Sequence, residues 1–410
     1  MITRIEIDGF KSFENFALDV PPFLVLIGTN ASGKSNLLDA LTFLSWAFAF
    51  DLDVAVDNVR GDARSLFRRR GDGSTVDRIR FALEGEFFGS EGDEYRLRVR
   101  YELELVWGVR DDLLDGLVIA SHRIAPELIP SEGEPSRPGW MSLPVQAGAQ
   151  VIPSQKGLRD KADLFPAHGE AEASIGAFAL RRIEVELMRM RVLHLEAAAL
   201  RQVSRVGDAS KLDPTGLRLP NYLRRLARRS ASPDRPKGVL NDITIELGGL
   251  VREVTGFDVV VDEARRDVRI EFSSPYQQGI AAESASDGTL RILAMLAAMH
   301  DEGLTAAEEP ENGVFPERLR QLLGIAQELE GDRQVLFTSH SPVVLDAVPR
   351  ENIAYFDMTT VIENGKPSRV TRVRRLRDEG GPSSVDGERW ARVTDSELDR
   401  FRAGIEEPVG

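Results

Sequence analysis

Cysteine is missing from the chain altogether, which excludes disulfides and thiolate metal sites. Histidine is scarce at five residues, so a histidine beside any motif stands out. Long hydrophobic runs are missing too: no stretch reaches the roughly 18 apolar residues a membrane-spanning helix needs. The nearest, Leu37 to Phe50, is interrupted by Asp39 and flanked by Lys34 and Asp51, and reads as a core helix. The start, Met1-Ile2-Thr3-Arg4-Ile5-Glu6-Ile7, alternates like a strand and lacks the form of a leader peptide. A soluble cytoplasmic protein with no membrane partner is the simplest expectation. There is no repeat and no heptad run long enough for a coiled-coil arm. An excess of positive charge is also absent. A formal net charge of −14 argues against a wholly basic nucleic-acid binder, because phosphate neutralisation supplies most of such affinity. Three runs are nonetheless locally basic: Arg68-Arg69-Arg70, Arg224 to Lys237, and Arg369 to Arg377. Each reads as a solvated face or as a DNA contact.

What is present begins with Gly28-Thr29-Asn30-Ala31-Ser32-Gly33-Lys34-Ser35, a full G-x-x-x-x-G-K-[ST] match. Phe23 to Ile27 before it is short, apolar and suited to a buried strand, and Asn36 to Phe50 after it is suited to a helix. Strand, loop and helix in that order make a phosphate cradle. Glycines let consecutive N–H groups turn inward toward an anion, and the helix start adds its positive end. Asn30, Ala31, Ser32, Gly33, Lys34, Ser35 and Asn36 are the expected nucleotide-binding residues. Lys34 would reach the β- and γ-phosphates, and the Ser35 hydroxyl would ligate Mg²⁺.

The rest of the chain reads as alternating strands and helices. Two short strands surround a turn at Asp8-Gly9. Ile79 to Trp107 forms a hairpin with one wet face, broken at Gly89 to Asp93, and Val118 to Ile129 is a further strand. Residues 130–170 are rich in Pro, Gly and Ser and read as loops or a lid. Helices are expected over Glu172 to Met190, Leu219 to Arg229 and Gly238 to Val254. A strand covers Arg191 to Glu196, and a second hairpin Phe257 to Phe272. A helix follows Gly288. The strand Leu304 to Ala307 precedes Glu308, a helix spans Pro316 to Leu329, and Val335 to Thr338 is a strand ending at Ser339-His340. Asn352 to Asp357 is another strand, and the polar tail ends in a short helix capped by Thr394 with Glu397 three positions on.

Three more motifs follow the phosphate loop: Ser284-Ala285-Ser286-Asp287-Gly288-Thr289-Leu290-Arg291, Glu308-Glu309-Pro310-Glu311-Asn312-Gly313, and Thr338-Ser339-His340-Ser341-Pro342. Read alone, Ser286-Asp287-Gly288 is a helix start suited to an anion or simply an N-cap. Glu308 and Glu309 are adjacent carboxylates at a strand end, and so point to opposite sides of the backbone. All four motifs in this order resemble the ABC-type ATPase heads of the RecF, SMC, Rad50 and OLD group, in particular compact bacterial AAA_21-like (AAA15-type) members. The resemblance spans Ile2 to about Asp357 and is weakest over residues 108–190.

That resemblance implies an α/β fold, a P-loop NTPase of ABC-ATPase type: a mixed central sheet with an antiparallel β subdomain and a helical signature lobe. The implied divisions are 1–129, the first half of the head; 130–280, an inserted loop and helical lobe; 281–375, the second half with signature, Walker B acid and switch histidine; and 376–410, a polar tail. It implies ATP and Mg²⁺ as cofactors, Glu308 beside Ser35 on the metal side, Glu309 as catalytic base, and His340 as a catalytic residue sensing the γ-phosphate. Lys11 matches a basic position that contacts nucleotide phosphates. Ser286, Asp287 and Gly288 contact nucleotide held by a partner copy. An ATP-sandwiched homodimer or larger homo-oligomer follows. The family's Q-loop glutamine is not placed; Gln146, Gln150, Gln155 and Gln202 all lie in poorly matched regions. The implied activity is ATP hydrolysis by a nucleotide-gated dimer switch in DNA maintenance, repair or anti-phage defence. DNA or a separately encoded effector protein are the candidate partners. The alternative is a non-catalytic ATP-dependent scaffold for a separate nuclease or toxin. A transporter motor is disfavoured, since the signature departs from Leu-Ser-Gly-Gly-Gln.

Overall fold

Alternate residues of one short strand face two different cores, and the whole architecture follows from that division. In the computed structural model, residues 1–89, 95–130, 134–146, 148–152, 164–165, 167–208, 211–376, 393 and 395–403 are described. In chain order the strands are β1 (Ile2–Asp8), β2 (Phe16–Asp19), β3 (Phe23–Gly28), β4 (Arg78–Phe88), β5 (Tyr95–Val109), β6 (Asp115–Pro130), β7 (Met141–Ser142), β8 (Arg191–Leu193) and β9 (Ser204–Arg205). They continue with β10 (Gly256–Asp262), β11 (Asp267–Ser273), β12 (Ile280–Ala281), β13 (Gly303–Glu308), β14 (Arg333–Ser339), β15 (Ile353–Glu363) and β16 (Lys366–Arg375). The central sheet runs β16-β15-β3-β14-β13-β8; all its pairs are parallel except β15–β16. A second sheet, β2-β1-β4-β5-β6-β7, is antiparallel throughout. A small third sheet joins β10, β11 and β12, with β9 added to β11.

Every residue of β3 is buried, the mark of a strand covered on both faces. Leu24 and Leu26 pack into a core shared with the antiparallel sheet, the helix Lys34–Ala49 and the helix Glu170–Arg189. Phe23, Val25 and Ile27 face the opposite core, filled by the helices Leu219–Ser230, Leu240–Leu250, Asp287–Met299 and Pro316–Gln327 and by Phe257, Ile270 and Phe272 of the third sheet. The helix after the phosphate loop is therefore sandwiched between two sheets, which is why its sequence is apolar around most of its circumference.

The antiparallel sheet carries a buried titratable group. His122 of β6 is fully buried, its ring edge-on to Tyr101 at 5.0 Å between centroids, and neither ring nitrogen has a hydrogen-bond partner among the described residues. Burial pushes its pKa down from 6.5 to about 3. The fold tolerates only the neutral ring, so this contribution is complete above the unfolded pKa and is lost as pH falls from 6.5 toward 3. At pH 5 the loss is about 2 kcal/mol. The variant His122→Phe, which keeps the volume and drops both nitrogens, is expected to flatten the acid limb of stability in urea titrations between pH 7 and 4.5. An unchanged limb would show that other groups carry it.

Three expectations need correction. The strand expected over Asn352 to Asp357 continues to Glu363 and turns into β16, so the basic run from Arg369 is largely a strand. Val370, Thr371 and Val373 are its buried positions, and Arg374 is buried against Asp357 at 2.7 Å and Glu397 at 2.8 Å. Arg377 and Thr394 lie outside the described residues, as do residues 90–94 of the first hairpin break. The strand expected over Arg191 to Glu196 stops at Leu193, because the chain leaves the sheet to start the short helix Ala197–Leu200. Members of the other two basic runs are also ion-paired internally. Arg68 is buried between Glu14 and Glu363, Arg225 and Arg229 reach Asp301, and Arg235 and Lys237 reach Asp242 and Asp258.

Candidate nucleotide site

The parallel order brings three strand ends to one edge of the central sheet, where ligands of open α/β sheets bind. Glu308 of β13, Thr338 of β14 and Leu26 of β3 lie in one row across the strands, and Ile27 and Ser339 in the next. The phosphate loop, the paired glutamates and His340 all leave the sheet at that edge.

The loop has the expected curl. Ala31 and Gly33 have φ values of 59° and 102°, the left-handed region in which successive N–H groups turn toward a common point. Gly33 is also required by space, since a Cβ there would lie 2.0 Å from Thr371 Oγ1. Thr371 donates to the Ser32 carbonyl at 3.1 Å and shares a 2.7 Å hydrogen bond with Ser12 Oγ, which accepts from Asn36 Nδ2 at 2.8 Å. Asn36 is thus directed to the loop's outer wall. Lys34 Nζ donates to the carbonyls of Gly28 (2.8 Å) and Thr29 (2.9 Å) and to Ser32 Oγ (3.3 Å). Burial pulls the Lys34 pKa down from 10.5 to about 8, against Glu309, Glu308 and Glu311.

Ser35 Oγ donates to Glu308 Oε1 at 2.5 Å, and Glu308 Oε2 meets His194 Nδ1 at 2.6 Å. The His194 hydrogen bond, helped by Ser35 and opposed by burial, holds the Glu308 carboxyl down at about 2. An ionised carboxylate beside a hydroxyl offers only hard oxygen donors, which suits Mg²⁺: that ion takes one or two carboxylates and leaves the rest to water and phosphate. Ser35 and Glu308 are the residues that would hold it.

Glu309 turns out of the strand with φ 48°, its N–H donating to the Thr338 carbonyl at 3.0 Å. A non-glycine residue in that region is uncommon and marks a constrained position. Its carboxylate receives Asn312 Nδ2 at 2.8 Å and lies 3.4 Å from His340 Nε2. Burial, and then the Lys34 charge, push the His340 pKa down. Glu311 fixes the histidine's backbone: its Oε1 accepts from His340 N at 2.7 Å, Ser341 N at 3.2 Å and Ser339 Oγ at 2.8 Å.

Ser286 caps the helix Asp287–Met299 by accepting from Thr289 N at 3.1 Å. Asp287 is ion-paired to Arg201, which also donates to the Ala285 carbonyl at 3.0 Å. Gly288 sits against the loop that leaves the paired glutamates: a Cβ there would lie 2.5 Å from the Gly313 carbonyl. Lys11 reaches Asp39 on the helix Lys34–Ala49 and the Arg60 carbonyl at 2.8 Å, and Arg60 in turn donates to Asp39 and to the Ser35 carbonyl at 2.7 Å. Of the candidate glutamines, Gln150 bonds Asp53 and Gln202 bonds the Ala198 carbonyl, while Gln155 lies outside the described residues. The side chains that sequence reasoning missed are His194, Arg60, Asp39, Glu311, Thr371 and Arg201. His194 left a signal as one of five histidines in the chain, inside an expected strand, and Glu311 left one as a member of the motif that begins at Glu308.

A parallel sheet with the phosphate loop, the acidic strand end and the histidine on one edge defines a P-loop NTPase. The family described as "AAA domain, putative AbiEii toxin, Type IV TA system" matches residues 23–134 and 197–346. This protein belongs to that family and is an AAA-family ATPase. A curated relative is the chromosome partition protein Smc of Methanocaldococcus jannaschii, 46% identical over 44 residues. That stretch is 10% of this chain and 4% of the relative, so only a small fraction of the relative's length is matched. Among solved structures, an SMC head bound to the C-terminal winged-helix domain of ScpA matches with a TM-score of 0.49 at 13% identity, covering 90% of this chain and 97% of the other. The SMC head domain from Thermotoga maritima matches with a TM-score of 0.42 at 13% identity, covering 92% and 99%. No helix among the described residues is long and apolar enough to cross a membrane.

Proposed function

We propose that the chain binds ATP at the edge of the central sheet and hydrolyses it as a head-to-tail homodimer. The observation that carries this reading is the convergence of four groups at the strand ends: Lys34 in the loop, Ser35 with Glu308, Glu309, and His340 beside it. Lys34 and the inward-turned N–H groups hold the phosphates. Glu309 accepts a proton from the attacking water, and His340 donates a hydrogen bond toward the γ-phosphate. Mg²⁺, when bound at Ser35 and Glu308, neutralises charge on the phosphates.

Ser286 and the helix start behind it present a hydroxyl and a positive helix end to a nucleotide held by a second copy. The contact of Gly288 with Gly313 links that surface to the loop carrying Glu309, so closure on ATP in one copy bears on the base in the same chain. The internal pairing of Arg68, Arg225, Arg229 and Arg374 supports a protein partner over DNA as the target of the switch. Sedimentation of Glu309→Gln tests the assembly. With ATP and Mg²⁺ it is expected to double in mass, and adding Ser286→Arg should return it to the monomer. A Glu309→Gln protein whose mass ignores ATP would sink the dimer reading.

A further inference from the structure

His194 belongs to no motif in the sequence, yet it holds one of the two oxygens of Glu308. Resting on the metal site read above, we infer that His194 is the positioning residue of the Glu308 carboxylate and sets the affinity of the site for a divalent cation. A glutamate at this strand end has three side-chain torsions to fix. Ser35 restrains Oε1 at 2.5 Å and His194 restrains Oε2 at 2.6 Å, so the carboxylate is held at both ends. The two restraints differ in kind. A hydroxyl that ligates a cation gives the ion its oxygen lone pair, so the Ser35 contact changes with metal binding. The His194 contact lies on the other oxygen and does not compete with the ion.

The imidazole stands on a rigid support. Leu193 pairs with Ala307, one residue before Glu308, so the two strands place His194 and Glu308 side by side. The His194 N–H donates to the Pro214 carbonyl at 2.8 Å, and the Glu196 N–H to the Thr215 carbonyl at 2.9 Å. Leu193, Leu195 and Leu200 around it are buried in the helical core. Such anchoring is what a side chain needs to hold a metal-side carboxylate in one orientation.

The test uses Mn²⁺ as the probe, read by electron paramagnetic resonance in the presence of a non-hydrolysable ATP analogue. Removing an outer partner of a metal ligand typically weakens the metal about 10- to 100-fold. The variant His194→Ala is expected to weaken Mn²⁺ about 10-fold while its affinity for the analogue in EDTA stays at the wild-type value. His194→Asn, whose amide nitrogen can donate to the same oxygen, is expected to restore most of the loss. Wild-type Mn²⁺ affinity in His194→Ala, an asparagine variant no better than alanine, or an equal loss of analogue binding in EDTA would each overturn the inference. Glu308→Gln separates the two readings. If it too binds Mn²⁺ like wild type, the metal site itself is misplaced; if it loses Mn²⁺ while His194→Ala does not, only the role of His194 falls.

Discussion

Glu309→Gln is expected to bind ATP as the wild type does and to release phosphate about 10²- to 10⁴-fold more slowly, the range a general base contributes. The substitution changes one oxygen to an amide and keeps the length. The remaining carbonyl oxygen still accepts from Asn312, so the left-handed turn at position 309 and its N–H bond to Thr338 are retained. What is lost is the proton acceptor. His340 is a poor substitute, because burial and the Lys34 charge lower its pKa and so disfavour the protonated ring that accepting a proton would make, and Glu311 pins its backbone. Steady-state phosphate release together with equilibrium binding of a fluorescent ATP analogue checks this. If wild type and variant release phosphate at the same slow rate, and neither responds to dimerisation, the chain is a scaffold in which nucleotide acts as glue.

The elements whose signals are local in sequence were legible. The phosphate loop, the two hairpins and the helix after Gly288 each rest on patterns of a few residues, and they form where expected. β13 carries a weaker local signal, since Leu304-Thr305-Ala306-Ala307 is not very apolar. Those four residues are buried nonetheless, because Thr305 donates to the Ala298 carbonyl at 2.9 Å and receives Arg191 at 3.1 Å, so the hydroxyl is satisfied inside. The misread elements depend on partners far away in the chain. Arg68 and Glu363, or Arg374 and Asp357, cancel only once β15 and β16 are folded, and a run of arginines gives no hint of the carboxylates awaiting it. The candidate site divides the same way. The residues of contiguous motifs could be named, whereas His194, Arg60 and Thr371 enter through loops and sheet neighbours that no spacing rule reaches.

Lys34→Ala is expected to weaken ATP about 10²-fold, the loss of a charge-assisted hydrogen bond to phosphate worth roughly 3 kcal/mol. A pH profile makes the assignment specific. The buried ammonium has its pKa lowered to about 8, so the free protein loses the charge that phosphate needs as pH passes that value. Only the protonated form binds well, and bound phosphate raises the lysine pKa in the complex. Affinity is therefore expected to be flat below pH 8 and then to fall, approaching tenfold per unit. A lysine at its ordinary value of 10.5 would stay flat across the same range. Lys34→Ala should be weak and flat, having no proton to lose. Lys34→Arg, charged throughout, should show no fall up to pH 9.5 whatever its absolute affinity, because guanidinium does not titrate there. The measurement is isothermal titration of a non-hydrolysable ATP analogue between pH 6.5 and 9.5 without metal, so that Ser35 and Glu308 do not contribute. A wild-type affinity flat to pH 9.5 would mean that the ammonium seated on the Gly28 and Thr29 carbonyls is not the group that meets the phosphates.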